Sequence, residues 1–415
     1  MNTLWGAWIS IRSKALHSKN PKTSSDARRI DQNPFGALRS LQEDLRHGRF
    51  EFEPQKGVLS PREGKAPRPL VISPVRNRIV QRAILDTIQN EKPSIRRRLG
   101  LIPTVLETET SVGGLPGRGS PDAVRLIRAA IADGANSFVR SDIKDFFTRV
   151  QTAALIKDIR ETTGDDEFAA LIEAGLRVEL ANADRPDIKE WYRLFPDGTT
   201  GVPQGSSLSA FCANYVLKRL DDELNQGAVT MVRYIDDFVI LGSDEATVDD
   251  SWATARKILD TANLEVHEPT PGGSKASLGN VQDGFEFLSY RFHGKQVGLS
   301  KAAKRSLLKS VADAAARTKR NISGQTQKQR RAEHRLAQGL VDIDRLVRGW
   351  GDSFRDVDQR LEFKQLDQKI SGHVRDLLGW YSSQIKGMEA DQRSRALGVA
   401  LLYDTPDRDL SDDQE

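Results

Sequence analysis

The chain has 415 residues and a formal net charge of only +4, although 29% of its residues are charged. This length suits two or three packed subdomains with a sizeable core. The single cysteine, Cys212, cannot form an internal disulfide or a zinc site, which disfavours zinc and disulfide chemistry and is typical of a cytoplasmic protein.

The absence of long apolar runs also bears on location. No run approaches the roughly 18 apolar residues that span a bilayer, so we expect no contact with a membrane. The N-terminus lacks the basic start and apolar core of a signal peptide. Together these features predict a soluble, cytoplasmic chain.

The predicted elements begin with an N-terminal helical extension over residues 1–50, where apolar residues from Phe35 to Leu45 follow helical spacing. Residues 50–70 then change to an extended pattern interrupted by glycine and proline. Helical spacing returns from Ile79 to Ile88. The order predicts a β-hairpin that leads into a helix.

A helix, a strand and a second helix are predicted next. Ser120-Pro121-Asp122 is typical of a helix start, with Ser120 as the N-cap, and the helix should end near Gly134. Residues 137–143 have a strand pattern, and a helix is expected from Phe146 onward.

Two apolar runs further along predict a second, tighter hairpin. A long apolar-faced helix is expected from Leu208 to Leu220. The runs 229–235 and 238–241 follow it and are separated only by Asp236 and Asp237. A two-residue separation is the spacing of a tight β-hairpin, which would place both carboxylates on a rigid turn.

Three carboxylates fit a magnesium site. Phosphoryl transfer needs acids from separate elements to converge on two ions, and Asp142, at the end of the strand before Ile143, is the candidate partner for Asp236 and Asp237. An isolated Asp-Asp pair also favours a turn without any catalytic role.

Five segments resemble motifs of the reverse transcriptase family and occur in the family's order. The Tyr-x-Asp-Asp hairpin and the strand-borne Asp followed by an aromatic are two of them, and the Pro-Gln-Gly loop is a third. The segments are Arg68–Ile72, Ser141–Phe147, Val202–Ser209, Tyr234–Asp237 and Phe287–Phe292.

This resemblance implies an α+β, right-hand polymerase fold with fingers, a palm of antiparallel sheet packed on helices, and an α-helical thumb. The implied domains are an N-terminal helical extension at 1–50, fingers with part of the palm at 51–135, a palm at 136–297, a helical thumb at 298–390 and an acidic C-terminal tail at 391–415.

The resemblance also implies roles for the acids. Asp142 and Asp236 would bridge two Mg²⁺ ions, with Mn²⁺ as an alternative metal. Asp237 would assist them, and the carbonyl of Ile143 would complete one coordination sphere.

Further residues would bind the incoming deoxynucleotide by the same resemblance. Phe147 matches an aromatic gate against a ribose 2′-hydroxyl, and a core aromatic beside Phe146 is the alternative. Arg68 is suited to clamp the triphosphate because a guanidinium binds two phosphate oxygens. The remaining nucleotide-binding candidates are Lys65, Gln204, Gly205 and Lys275. Lys275 occupies a loop where the family often has a lysine near the leaving pyrophosphate.

A basic stretch predicts contact with nucleic acid. Residues 291–335 contain thirteen Lys or Arg against two acids, and the helical pattern after Ser300 repeats positive charge as a thumb that follows duplex phosphates would. Ordinary solvated helix charge is the alternative. The candidate contacts are Lys301, Lys304, Arg305, Lys309, Arg317, Lys319 and Arg320.

Among reverse transcriptases, the chain resembles bacterial "unknown group" or abortive-infection enzymes related to the group II intron branch. That resemblance implies copying of a dedicated, structured noncoding RNA into cDNA, with a role in antiphage defence and possible homo-oligomers. The alternatives are a retron-type or intron-type enzyme, a template-independent or protein-primed DNA polymerase, and a catalytically silent RNA-binding scaffold.

Overall fold

The computed structural model describes residues 1–62, 64–323, 336–358, 360–397 and 401–402, without the side chains of Lys65 and residues 395–397. Most of the predicted acidic tail at 391–415 therefore lies outside the described residues. The chain divides into two compact units, Met1–Asp283 and Gly284–Glu415. The predicted subdomain boundaries stay predictions.

The first unit combines helices with two sheets. Two short 3₁₀ segments, Ile102–Glu107 and Tyr192–Leu194, join its longer elements. Its helices are α1 Asn2–Leu16, α2 Pro21–Gln32, α3 Pro34–Arg46, α4 Val75–Ile88, α5 Pro93–Leu99, α6 Ser120–Ala132, α7 Phe146–Arg149, α8 Thr152–Thr163, α9 Asp166–Leu176, α10 Pro186–Glu190, α11 Ser207–Val216, α12 Lys218–Leu224 and α13 Glu245–Thr261. Its strands are β1 Lys56–Arg62, β2 Lys65–Ile72, β3 Ser137–Asp142, β4 Val229–Tyr234, β5 Asp237–Gly242, β6 Thr270–Pro271 and β7 Ser277–Asn280.

A five-stranded sheet with the order β4-β5-β3-β7-β6 forms the centre of this unit. All of its strand pairs are antiparallel except β6 with β7. The sheet is therefore mixed at the β6 edge, whereas an antiparallel sheet was predicted. The register places Asp142 of β3 directly opposite Asp237 of β5. Cross-strand partners project from the same face of a sheet, so this register fixes the two carboxylates side by side.

The core explains why β5 is a continuous apolar run instead of an alternating one. Residues 238–241 are all buried, with exposures of 1% or less, because helices cover the sheet. The helix α13 packs on β3 and β5, and α6 packs on β4 and β5. The rigid scaffold therefore begins immediately beside the acidic turn.

The β1/β2 hairpin and the helix α4 confirm the predictions for the region after residue 50. The helix buries Ile79, Val80 and Ile84 against α1 and α11. The hairpin is tied to the rest of the unit by a bond from Val71 N–H to Gln204 O of 2.9 Å. This bond joins two segments that were predicted to contact the nucleotide.

Three predicted helix boundaries were wrong. The N-cap of α6 is Gly119 rather than Ser120, since the Asp122 carboxylate accepts from Gly119 N–H at 2.8 Å. The helix predicted from Phe146 ends at Arg149 and restarts after a bridge between Gln151 and Thr200. The helix predicted from 208 to 220 is divided at Leu217 into α11 and α12.

The second unit contains a three-stranded antiparallel sheet and long helices. Tyr290 is fully buried in it, and its hydroxyl donates to Ser353 O at 2.5 Å. The mixture of helices and sheets in both units confirms the predicted α+β class. The elements are β8 Phe285–Phe287, β9 Tyr290–His293, β10 Gln296–Leu299, α14 Lys301–Ser323, α15 Leu336–Ser353, α16 Arg360–Ile385 and α17 Ala390–Leu397.

Among the described residues, no helix is both long and apolar enough to cross a membrane.

Candidate active site

The three predicted aspartates lie together where β3 ends and the β4/β5 hairpin turns. Asp142 is the last residue of β3 and pairs with Asp237, the first residue of β5. The amide of Ile143 donates to Asp236 O at 3.1 Å, which ties the end of β3 to the turn itself. Backbone hydrogen bonds therefore bring together residues that are almost one hundred positions apart in the sequence.

The turn differs by one residue from the prediction. Tyr234 pairs with Asp237, so the two residues between the strands are Ile235 and Asp236. Asp237 belongs to the ladder because it also faces Asp142. Ile235 adopts a left-handed φ of 59°, which is unfavourable for a β-branched residue and requires support from its surroundings.

A buried ion pair beneath the turn supplies that support. Arg233 and Asp221 are 0% and 2% exposed, and the guanidinium donates to both carboxylate oxygens at 2.5 and 2.7 Å. Its remaining nitrogen, Nη1, donates to Ile235 O at 2.8 Å and to Asn214 Oδ1 at 2.9 Å. Burial raises the pKa of Asp221, and the charge of Arg233 opposes that rise. The pair thus anchors the carbonyl next to Asp236.

Two basic side chains approach Asp142 from the segment after α13. Lys275 Nζ lies 3.0 Å from Asp142 Oδ2, and His267 Nε2 lies 3.9 Å from Oδ1. The His267 carbonyl accepts from Ser141 Oγ at 2.8 Å, which joins this segment to β3. Lys275, which the sequence placed near the leaving pyrophosphate, is therefore next to a predicted metal ligand.

The loop that carries Lys275 is held by Arg140. Its guanidinium nitrogen Nη2 donates to Ser274 O at 2.8 Å and to Gly273 O at 3.3 Å. Its Nε also lies 3.4 Å from Ser277 Oγ. Because residues two apart share a face of a strand, Arg140 and Asp142 both project toward this loop.

The acids carry an excess of negative charge. Desolvation, followed by the charges of Asp236 and Asp142, raises the pKa of Asp237 to about 6, although the residue is exposed overall. Desolvation and the charge of Asp142 also raise the pKa of Asp236, which Arg68 and Lys275 oppose. Because neighbouring carboxylates disfavour each other's ionised form, a positive ion between them would be stabilising.

The donor set suits magnesium in chemistry and charge. Carboxylate and carbonyl oxygens are the ligands that this hard ion prefers. The pKa values of Asp236 and Asp237 are raised mainly by desolvation, with a further rise from neighbouring carboxylates. Within the described part of the chain, however, no three His, Cys, Asp or Glu side chains already stand as an ion-holding group. Asp142 is instead engaged by Lys275.

The fingers hairpin and the Pro-Gln-Gly loop meet beside the acids. Arg68 is exposed on β2 and close enough to Asp236 to influence its pKa. Gly205 has a φ of 119°, and a Cβ there would lie 2.9 Å from Val71 O. Glycine is therefore required for the loop to pack on β2 beside the Gln204 contact.

Phe147 and Lys65 complete the predicted nucleotide contacts. Phe147 is partly buried, its ring meets that of Phe146 edge-on at 5.7 Å, and its carbonyl accepts from Val202 N–H at 2.7 Å. The ring packs at the edge of the core, and the backbone of Phe147 is tied to the Pro-Gln-Gly loop. Lys65 pairs with Arg62 through the backbone, and its side chain lies outside the described residues.

The predicted nucleic-acid contacts all lie on α14 in the second unit, where five are exposed and two are engaged internally. Lys304 forms an ion pair with Glu362 at 2.7 Å, and Lys319 lies 5.8 Å from the centre of the Trp380 ring. The opposite side of the helix is buried. The exposed set is Lys301, Arg305, Lys309, Arg317 and Arg320.

The sequence did not identify Arg140, Arg233, Asp221 or His267 as parts of the site. The alternation of β3 places Arg140 on the same face as Asp142, which is a usable signal. Arg233 carried a weaker signal, because a charged residue inside an apolar strand requires a buried partner.

Comparisons with known proteins address the family. The family described as "Reverse transcriptase (RNA-dependent DNA polymerase)" matches residues 60–292, more than half of the chain. Protein YkfC of Escherichia coli K12 is 25% identical over 333 residues, covering 70% of this chain and 80% of YkfC. The Putative COX1/OXI3 intron 1 protein of Saccharomyces cerevisiae is 27% identical over 195 residues, which is 45% of this chain and 20% of that protein.

Similar solved structures include apo telomerase from Candida tropicalis, with a TM-score of 0.40 and 14% identity over 60% of this chain and 55% of that one. A partial Cas6-RT-Cas1–Cas2 complex has a TM-score of 0.32 and 22% identity over 63% of this chain and 41% of that one. The chain thus spans about half the length of these solved chains.

Proposed function

The chain belongs to the reverse transcriptase family, and on that premise we propose that it copies an RNA template into DNA by two-metal nucleotidyl transfer. The observation that carries this proposal is the register of β3 with β5, which brings Asp142 opposite Asp237 beside the turn at Asp236. Members of this family are nucleotidyltransferases that generally use divalent metal ions.

The residues that would hold two Mg²⁺ ions are Asp142, Asp236 and Asp237, with the carbonyl of Ile143. When bound, the ions would lower the pKa of the primer 3′-hydroxyl and neutralise charge on the triphosphate. The excess negative charge of the acids supports this assignment, and Mn²⁺ would serve as an alternative metal. Lys275, which contacts Asp142, would turn to the leaving pyrophosphate when the ions are bound.

The residues around the acids would bind and select the nucleotide. Arg68, exposed and close to Asp236, would clamp the triphosphate with its guanidinium. Gln204 and Gly205 would bring backbone close to the nucleotide. Phe147, fixed through its carbonyl to Val202, would exclude a ribose 2′-hydroxyl and so favour a DNA product.

Extension of a primer on an RNA template tests the activity. Purified protein should incorporate deoxynucleotides with Mg²⁺, and digestion of all RNA beforehand should abolish synthesis. Extension that survives removal of RNA would instead identify a template-independent or protein-primed DNA polymerase. Incorporation of ribonucleotides at the deoxynucleotide rate by the wild type, with no change in Phe147→Ala, would contradict the role of Phe147.

We further propose a dedicated, structured noncoding RNA as the template and antiphage defence as the role. The support is the resemblance to stand-alone bacterial enzymes and the exposed basic face of α14. Sequencing of RNA and cDNA that copurify with the protein tests this. One abundant RNA and its cDNA are expected, whereas a retron or intron RNA, or a random mixture, would contradict it.

Protection of cells tests the defence role and the scaffold alternative together. Cells expressing the wild type should resist phage, and Asp236→Ala with Asp237→Ala should abolish that resistance. Full resistance with the double variant would favour a catalytically silent RNA-binding scaffold. No resistance with the wild type would remove the defence role while leaving the polymerase activity to the extension assay.

A further inference from the structure

The loop between β6 and β7 is closed at its start by a bond from Gly273 N–H to Thr270 O of 2.9 Å, and it places Lys275 beside Asp142. Gly272 adopts a left-handed φ of 66°, and the loop contains two consecutive glycines, which carry no side chain to pack. Lys275 nevertheless lies 3.0 Å from Asp142. Precise placement of Lys275 also requires that the backbone directly before it be held.

Arg140 meets this requirement. It donates to the carbonyls of Ser274 and Gly273, at 2.8 and 3.3 Å, directly before Lys275. Its third contact, with Ser277 Oγ at 3.4 Å, is on the other side of Lys275. A planar guanidinium with several donors can bridge such points, which a single ammonium cannot.

We propose that Arg140 is a positioning residue, which holds the loop backbone so that Lys275 is presented to the Asp142 side of the active site. The catalytic consequence rests on the proposed polymerase function, in which Lys275 serves the leaving pyrophosphate. The loop-holding itself rests only on the contacts of Arg140.

A different role for Arg140 would give different results. Its charge also opposes the raised pKa of Asp237, so it could act directly on the acids. A direct charge effect is retained by Arg140→Lys and is independent of Lys275. A loop-holding effect is lost in Arg140→Lys and acts through Lys275, so the two losses are not additive.

A double-mutant cycle separates these roles. Arg140→Gln and Lys275→Ala should each lower kcat for deoxynucleotide incorporation by about tenfold to hundredfold, the scale for a group misplaced by about 1 Å, with KM changed much less. The double variant should be no slower than Lys275→Ala. Arg256→Gln, which removes an exposed 3.4 Å pair with Glu268 near the same segment, is the matched control and should retain activity.

Limited trypsin digestion gives a readout that does not need activity. Cleavage after Lys275, followed by mass spectrometry, should be faster in Arg140→Gln and Arg140→Lys than in the wild type and Arg256→Gln. If a variant has the wild-type melting temperature, general unfolding does not explain faster cleavage. If its melting temperature is lower, cleavage at Lys275 is compared with cleavage at other sites of the same variant.

The outcomes divide clearly. Unchanged cleavage at Lys275, additive losses of kcat, or full rescue by Arg140→Lys would overturn the positioning role. A wild type that does not polymerise would contradict the proposed function instead, and the digestion would still decide whether Arg140 holds the loop.

Discussion

Replacing Arg233 with methionine should destabilise the first unit, Met1–Asp283, so that it unfolds at a lower denaturant concentration than in the wild type. The change leaves the 2%-exposed carboxylate of Asp221 without its partner. Breaking a buried ion pair in this way costs about 3–5 kcal/mol. Against a typical total of about 5–15 kcal/mol for a domain, that loss is large.

The paired variant Arg233→Met with Asp221→Leu separates stability from positioning. It removes both charges, and such replacements of buried ion pairs are often close to neutral in stability. Ile235 O still loses its donor, whereas Asn214 Oδ1 keeps Ser111 Oγ at 3.2 Å. A bond from a charged donor contributes about 1.5–3 kcal/mol, and the left-handed conformation of Ile235 costs about 1–3 kcal/mol. The free energies of the bond and of the strained conformation are comparable in size. Without the bond the turn should therefore relax, and primer extension should fall sharply.

The assay combines urea unfolding with primer extension, at two pH values. Burial already raises the pKa of Asp221 above its unfolded value, and loss of Arg233 raises it further. When a carboxyl group has a higher pKa in the folded state than in the unfolded state, the protein becomes less stable as the pH rises from the unfolded pKa to the folded pKa. Arg233→Met should therefore lose more stability at pH 8 than at pH 5. The reasoning is refuted if Arg233→Met is as stable as the wild type, or if the paired variant is fully active.

Three further predictions follow from single sites. Burial raises the pKa of Cys212 to about 12, so maleimide should label it only after unfolding, and rapid labelling of native protein would contradict its burial. Gly205→Ala, with its 2.9 Å clash, should lose about 1–3 kcal/mol more in urea unfolding than Gly198→Ala, which has a similar φ and open space. Arg305→Ala should reduce the salt dependence of duplex binding by about one phosphate contact, because Arg305 is exposed. Lys304 pairs with Glu362, so an equal reduction in Lys304→Ala would contradict the difference between exposed and paired basic residues of α14.

Local pattern was enough to predict the elements that carry the acids. The run 238–241 is apolar on both faces, and a sheet covered on both sides accommodates such a strand. The sequence also placed Asp142 at a strand end. These features depend on neighbours in the chain, which a sequence displays directly.

The errors arose where distant contacts decide the outcome. Asp237 lies in the strand instead of the turn because it pairs with Asp142, almost one hundred residues earlier. The Arg140 contacts depend on the pairing of β3 with β7, and the Arg233 contacts depend on the packing of α12 on β4. No local spacing contains those pairings.

Primer extension by Asp142→Ala tests the central claim most directly, because Asp142 is the predicted metal ligand on β3 and lies opposite Asp237. The variant should fold with the same melting temperature as the wild type and lose Mg²⁺-dependent incorporation of deoxynucleotides. Synthesis that continues at the wild-type rate in the folded variant would contradict the account.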